Sequence, residues 1–166
     1  MKLDSIIEMP CLLTGLWRRF SVHLFEGKVT LAHMEEIEAR SEKWHDKLRG
    51  KVVEMVVIFP SSAKMTGEER TKMTRIIKRW ESSRVASATV ILAQGLTGAM
   101  HRSVLTGMQL VVPAPHPVKV FGGTSDAVKW LAPHVRELCG PEATFDALDA
   151  AVVDLSSRFA ARETKS

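Results

Sequence analysis

Residues 52 to 59 read Val-Val-Glu-Met-Val-Val-Ile-Phe. The run is almost continuously apolar and rich in β-branched side chains, which is the pattern of a central strand covered on both faces. Such a strand requires a layer above it and a layer below it, and an α/β architecture supplies both. Pro60 stops the run, because proline has no amide to give to a ladder. Residues 86 to 93, Ala-Ser-Ala-Thr-Val-Ile-Leu-Ala, form a second central strand. Between the two, Thr66-Gly67-Glu68-Glu69 is a capping box: the Thr66 hydroxyl takes the Glu69 amide while the Glu69 carboxylate takes the Thr66 amide. The helix that follows places Met73, Ile76, Ile77 and Trp80 on its inner face.

The rest of the chain fits the same alternation. Residues 17 to 25 put Phe20, Val22 and Leu24 on one face and Arg19, Ser21 and His23 on the other, as in a half-exposed strand. Glu26-Gly27-Lys28 turns, and Thr30 caps a helix running to about Leu48, with Met34, Ile37, Trp44 and Leu48 on one stripe and Gly50 beyond its end. A third helix carries Met100, Val104 and Met108. Pro113, Pro115 and Pro117 hold an extended stretch before a short strand at residues 118 to 121. Thr124 or Ser125 caps a helix to about Leu138. From Thr144, a last helix lines up Phe145, Leu148, Val152, Leu155 and Phe159. The order predicts a mostly parallel sheet of four or five strands with right-handed crossover helices. Cys139-Gly140-Pro141-Glu142 sets the last helix apart, so residues 1–138 are expected to form the α/β domain and 139–166 an added amphipathic helix and tail.

Several function classes lose ground on composition. With 45% hydrophobic and 25% charged residues, the chain has a globular balance rather than a disordered one. No apolar run reaches the ~20 residues of a membrane span, and the first residues lack the pattern of a secretory signal. Cys11 and Cys139 are too few and too far apart for a disulfide framework, and they read as buried, reduced thiols of a cytoplasmic protein. A net charge of +4 is short of the dense basic stripe of a nucleic-acid binder.

Candidate chemistry is sparse. None of His23, His33, His45, His101, His116 and His134 pairs at the i, i+4 spacing of a helical metal site. Gly-x-Ser-x-Gly is absent, so no nucleophile elbow is visible and no catalytic residue is assigned. Gly95-Leu96-Thr97-Gly98 could offer amides to an anion through Gly95, Thr97 and Gly98. It lacks the Walker lysine, however, and also reads as a tight strand-to-helix turn. The most basic stretch holds Lys64, Arg70, Lys72, Arg75, Lys78, Arg79 and Arg84 against Glu68, Glu69 and Glu81. It reads either as a solvated helix face or as a docking face for an acidic partner.

Three stretches carry a family resemblance: the strand pair at residues 52–59 and 86–93 with a helix between, the segment Ala99-Met-His-Arg-Ser-Val-Leu-Thr-Gly-Met108 after a glycine-containing loop, and Val118-Lys-Val-Phe121 followed by Thr124-Ser-Asp-Ala-Val-Lys-Trp-Leu131. Over roughly residues 15 to 135 the chain resembles the SpoIIAA-like branch of the STAS superfamily, the fold of anti-sigma-factor antagonists. The resemblance implies a small, non-catalytic domain that binds proteins and, in some members, apolar ligands. Antagonists of this family carry a phosphorylatable Ser or Thr after the second core strand, preceded by Asp. Here the place reads Phe59-Pro60-Ser61-Ser62-Ala63-Lys64: serines are present, the Asp is not.

The expected function is therefore a regulatory or scaffold module acting through protein contacts. The candidate contact residues are Ser61, Ser62 and Lys64 in the loop and Arg75, Lys78 and Arg79 on the basic helix, with the C-terminal helix as a third surface. A protein partner with an acidic surface is expected; a homodimer is open; nucleic acid and cofactors are not expected. A carrier of a small apolar or lipid-like ligand, suggested by four tryptophans and eight methionines, is the second reading. An enzyme of unrecognised type is the third.

Overall fold

A computed structural model describes residues 1–48, 50–62, 65–93, 95 and 114–163. Its elements, in chain order, are β1 (Asp4–Met9), β2 (Leu12–Trp17), β3 (Phe20–Phe25), α1 (Leu31–Leu48), β4 (Val52–Ile58), α2 (Gly67–Arg79), a 3-10 turn (Glu81–Ser83), β5 (Arg84–Ile91), β6 (Val118–Phe121), α3 (Thr124–Cys139) and α4 (Phe145–Glu163). One six-stranded sheet runs in the order β1-β2-β3-β4-β5-β6. The first two ladders are antiparallel and the other three parallel. The α/β class and the mostly parallel sheet stand as expected.

The strand number does not. Six strands replace the expected four or five, because a hairpin precedes the first predicted strand. Pro10-Cys11 turns β1 into β2, with Met9 opposite Leu12, and Arg18-Arg19 turns β2 into β3, with Trp17 opposite Phe20. Trp17 thus belongs to the strand before the turn. Neither loop carries the Asn-Gly or Asp-Gly signature of a tight hairpin. Arg18 instead takes φ 51° without being glycine, and it is held by donating to the Cys139 carbonyl and pairing with Glu142.

Alternation along the strands feeds two cores. Val22, Leu24, Val53, Met55, Val57, Ala86, Ala88 and Val90 point into a cluster closed by α3 and α4. Ile7, Met9 and Leu12 point the other way, against Met34 and Ile37 of α1 and Ile76 of α2. The molecule has three layers, but the burial predicted for β4 holds fully on one face only: Val53, Met55 and Val57 are buried, while Glu54, Val56 and Ile58 on the other face are half-buried. The α4 stripe is buried within the chain itself: Leu148, Val152, Leu155 and Phe159 are at most 2% exposed and belong to the same cluster as the sheet. Each such side chain gains roughly 1.5–3 kcal/mol on burial. Arg158 ties α4 to β1, donating to the Leu3 carbonyl at 2.6 Å and to Ser5 Oγ at 3.1 Å.

Two finer expectations are corrected. Ile77, expected inside, is 49% exposed. Successive helical residues diverge by about 100°, and α2 is rolled so that Ile76 and Met73 face the core and Ile77 faces out. Gly123, not Thr124 or Ser125, is the N-cap of α3, with no side-chain cap bond. The Thr66–Glu69 capping box forms as predicted, and Thr30 accepts the amide of His33 at the start of α1. The predicted third helix, with Met100, Val104 and Met108, lies outside the described residues.

Gly15 in β2 permits the close approach of α4, since a Cβ there would lie 2.8 Å from Leu155 Cδ2 and 2.9 Å from Leu3 Cβ. Gly15→Ala is expected to cost about 1–3 kcal/mol by overpacking, and Leu155→Ala about 2–5 kcal/mol by opening a cavity. The double variant should cost clearly less than the sum, because the vacated space accepts the new methyl. Urea unfolding of the four proteins measures this, and strictly additive costs would show that the two residues do not share that space.

Candidate functional site

Ser61 and Ser62, which follow β4, are both hydrogen-bonded within the chain. Ser61 Oγ donates to Glu26 Oε1 at 2.6 Å, and Ser62 Oγ donates to the Phe25 carbonyl at 3.1 Å. Both serines thereby tie this loop to the end of β3. A phosphate on Ser61 would stand beside the Glu26 carboxylate and meet like charge. Gly95 sits at φ 68°, the turn geometry that favours glycine. Lys64, Thr97 and Gly98 lie outside the described residues.

The basic stretch divides in two. Lys72 Nζ lies 2.5 Å from Glu38, and Arg79 pairs with both Glu38 and Glu42 of α1. Those pairs join α1 to α2, and the Lys72 and Arg79 cations hold the Glu38 carboxyl below its usual range. Arg84 is not on the helix at all; it opens β5, with its side chain only 8% exposed against Glu54. What remains outward are Arg70, Arg75 and Lys78, exposed and with no carboxylate partner among the described residues. Ile77 is exposed too, seven residues and so about two turns after Arg70 on the same side of the helix. Of the six candidate contact residues, the structure thus keeps Arg75 and Lys78 free on one face and engages Ser61, Ser62 and Arg79 internally.

Under α1 and α2, on the sheet face that Glu54 shares, residues gather that the sequence analysis did not connect with one another. Glu54 receives Arg84 Nε at 2.6 Å and Nη2 at 3.1 Å. His23 Nε2 lies 3.5 Å from Glu54, and His23 Nδ1 lies 3.0 Å from Thr14 Oγ1. Ser21 and Ser87 are the register neighbours of Glu54 on either side, and Ser87 Oγ lies 3.0 Å from His116 Nε2. Over this row His45 is sandwiched between Trp44 and Trp80, with ring centroids 3.9 and 4.0 Å away.

The electrostatics follow from burial. Desolvation alone would raise the Glu54 carboxyl, but the Arg84 guanidinium and the His23 imidazole outweigh it and hold it at about 2. Burial, reinforced by Arg84, pushes His45 down to about 4. Burial and then Arg84 lower His116 in the same direction. Both rings are accordingly neutral at pH 7, leaving the Glu54–Arg84 ion pair as the charged centre of the cluster. Ser21 Oγ, Trp44 Nε1, Trp80 Nε1 and His116 Nδ1 are buried there without a hydrogen-bond partner among the described residues.

As chemistry, the Ser87–His116 pair has the contact of a nucleophile and a base, but His116 Nδ1 has no orienting acceptor. Ser87 also lies mid-strand and buried, not on an exposed elbow. Among the described residues no three His, Cys, Asp or Glu side chains group as metal ligands. The strand order never reverses among them either, so there is no switch-point crevice of the kind that holds nucleotides in open α/β sheets. An open groove of about 400 Å³ between α3 and the start of α4 has Lys129, Arg136 and Glu137 around Ala132, Pro133 and Phe145, a charged rim unsuited to a purely apolar ligand. No described helix is long and apolar enough to cross a membrane, and both cysteines are free and buried.

Comparison with protein-family models, with curated proteins and with solved structures finds no match for this chain.

The buried cluster should be visible as acid sensitivity. His45 binds its proton near pH 4 when folded against 6.5 ordinarily, so within that window the unfolded chain binds more protons and stability falls as pH falls. Glu54, at about 2 against 4.5, has the same sign lower down: its contribution is full above 4.5 and lost toward 2. The melting temperature is expected to drop over both windows. His45→Phe should flatten the upper drop in part, since His116 still contributes, and leave the lower one. An upper slope unchanged by His45→Phe would mean that His45 is not held neutral by burial.

Proposed function

We propose that the protein is a non-catalytic regulatory or scaffold module of the STAS type, acting in the cytoplasm by docking a protein partner with an acidic surface. The observation that carries this reading is the sorting of charge on α2. Its inward cations, Lys72 and Arg79, are consumed by Glu38 and Glu42, while Arg70, Arg75 and Lys78 stay exposed, and Arg70 shares its side of the helix with Ile77. A helix that leaves cations in water beside an exposed aliphatic side chain offers both steering and a small apolar anchor. The incomplete Ser87–His116 arrangement and the sequential strand order support binding over catalysis. The engaged hydroxyls of Ser61 and Ser62 support constant docking rather than a phosphorylation switch in that loop.

The test is association in native extracts of cells that make the protein. A partner that docks through this face should associate at least about tenfold more slowly with the Arg75→Glu, Lys78→Glu double variant, and the deficit should shrink as salt is added. Melting temperatures of variant and wild type should agree closely, because both positions are exposed. Partners recovered equally by both proteins at low salt would overturn the reading.

A further inference from the structure

Outside the chain termini, two large apolar side chains stand exposed among the described residues: Ile77 on α2 and Val153 on α4, at 49% and 53%. Single exposed aliphatics are ordinary. What sets these two apart is their company. Arg70, Thr74, Ile77 and Lys78 are all exposed on α2, and Asp146, Ala150, Val153 and Asp154 are all exposed on α4. The two sets have identical spacing: charge, then a small residue four positions on, an aliphatic at seven, and charge at eight. The sign is positive throughout on α2 and negative throughout on α4. Among the described residues Asp146 has no ion pair, and Asp154 meets only Arg158 of its own helix, at 3.0 Å.

We propose that the partner of the α2 face is a second copy of this chain, which presents the outer face of its α4. The proposal rests on the reading of α2 as a docking face and names its occupant. Laid side by side in parallel, the helices bring Ile77 against Val153, Thr74 against Ala150 and Arg70 against Asp146, with Lys78 and Asp154 flanking the contact. The small residues at the middle position let the helix axes approach, and the opposite signs fix the pairing. Like faces repel: two α2 faces present cations to each other, and two α4 faces present acids.

The fold determines what such pairing builds. α2 packs on one side of the sheet and α4 on the other, so the two faces of one molecule point in opposite directions. A pair therefore leaves an unused α2 face at one end and an unused α4 face at the other. The contact is heterologous, and copies add head to tail into a chain or a ring rather than stopping at a two-fold dimer. One helix against one helix is a small interface, so the assembly forms at high protein concentration and is sensitive to salt.

Sedimentation velocity of the full chain over a range of concentrations, at low and high salt, tests the proposal. Wild type should gain mass progressively with concentration at low salt and revert to monomer at high salt. Arg70→Glu with Lys78→Glu should abolish growth, and so should Asp146→Lys with Asp154→Lys. A chain carrying all four reversals should associate again, because each face has changed sign together with its partner; circular dichroism and melting confirm that each variant is folded. A wild type that stays monomeric at low salt, growth that survives either reversal, or failure of the folded fourfold variant to regain growth would each overturn self-pairing. These results are independent of the extract experiment, so an α2 face that takes a different acidic protein would be told apart from one that docks nothing.

Discussion

β4 has a neighbour on each side in the sheet and a helical layer on each face, and the other elements are arranged around that double burial. Val53, Met55 and Val57 supply one core, while Glu54, Val56 and Ile58 look toward the other layer. A carboxylate in the middle of such a strand is costly unless it is paired and hydrogen-bonded. Arg84 meets that demand from the first position of β5, with two contacts to the carboxylate and a third nitrogen donating to the Ile77 carbonyl at 2.8 Å. One arginine thus links the central strand, the next strand and the last turn of α2. Removing either member would strand a buried charge, which is far worse than replacing both with apolar groups.

That linkage also shapes the surface. With the end of α2 held by Arg84, and Lys72 and Arg79 drawn to α1, the helix has a fixed roll. Ile76 goes in and Ile77 goes out, and the cations that cannot reach an α1 carboxylate are left in water. The exposed basic face is in this sense a remainder of the packing: it consists of the α2 residues that the inner contacts do not use. The same logic governs α4, whose apolar stripe is consumed by the sheet and whose acids are what is left outside.

Local signals were legible in the sequence. The β4 strand, the Thr66–Glu69 capping box and the α4 stripe each lie within a few neighbouring residues, and each forms as read, although one face of β4 is only half-buried. The β1–β2 hairpin was not legible, because Arg18 adopts a conformation that glycine usually supplies, and because Gly15 looks like a strand breaker when it is in fact the space that α4 needs. The buried polar cluster was hidden for another reason. Thr14, His23, His45, Glu54, Arg84 and His116 come from widely separated positions with no common spacing, and only the sheet register and two helix ends bring them together. The one signal was Glu54 itself, a lone acid in the most apolar strand. Its counterion, Arg84, reads in the sequence as one more of the helix cations, although it stands beyond the end of α2 and opens β5.

The two layers that cover the sheet differ in kind. The α3/α4 side is closed by aliphatic and aromatic contacts, with Leu131, Val135, Leu148 and Leu155 fully buried. On the α1/α2 side the described residues combine an apolar cluster around Met34, Ile37 and Ile76 with the Glu54–Arg84 network. The charge at the centre of that network makes the end of α2 depend on the central strand, because losing either partner would strand the other. A partner docked along α2, as proposed, would bear on a helix whose last turn is fixed to β4 through Arg84, so the position of its exposed face is set from inside the sheet rather than by the helix surface alone.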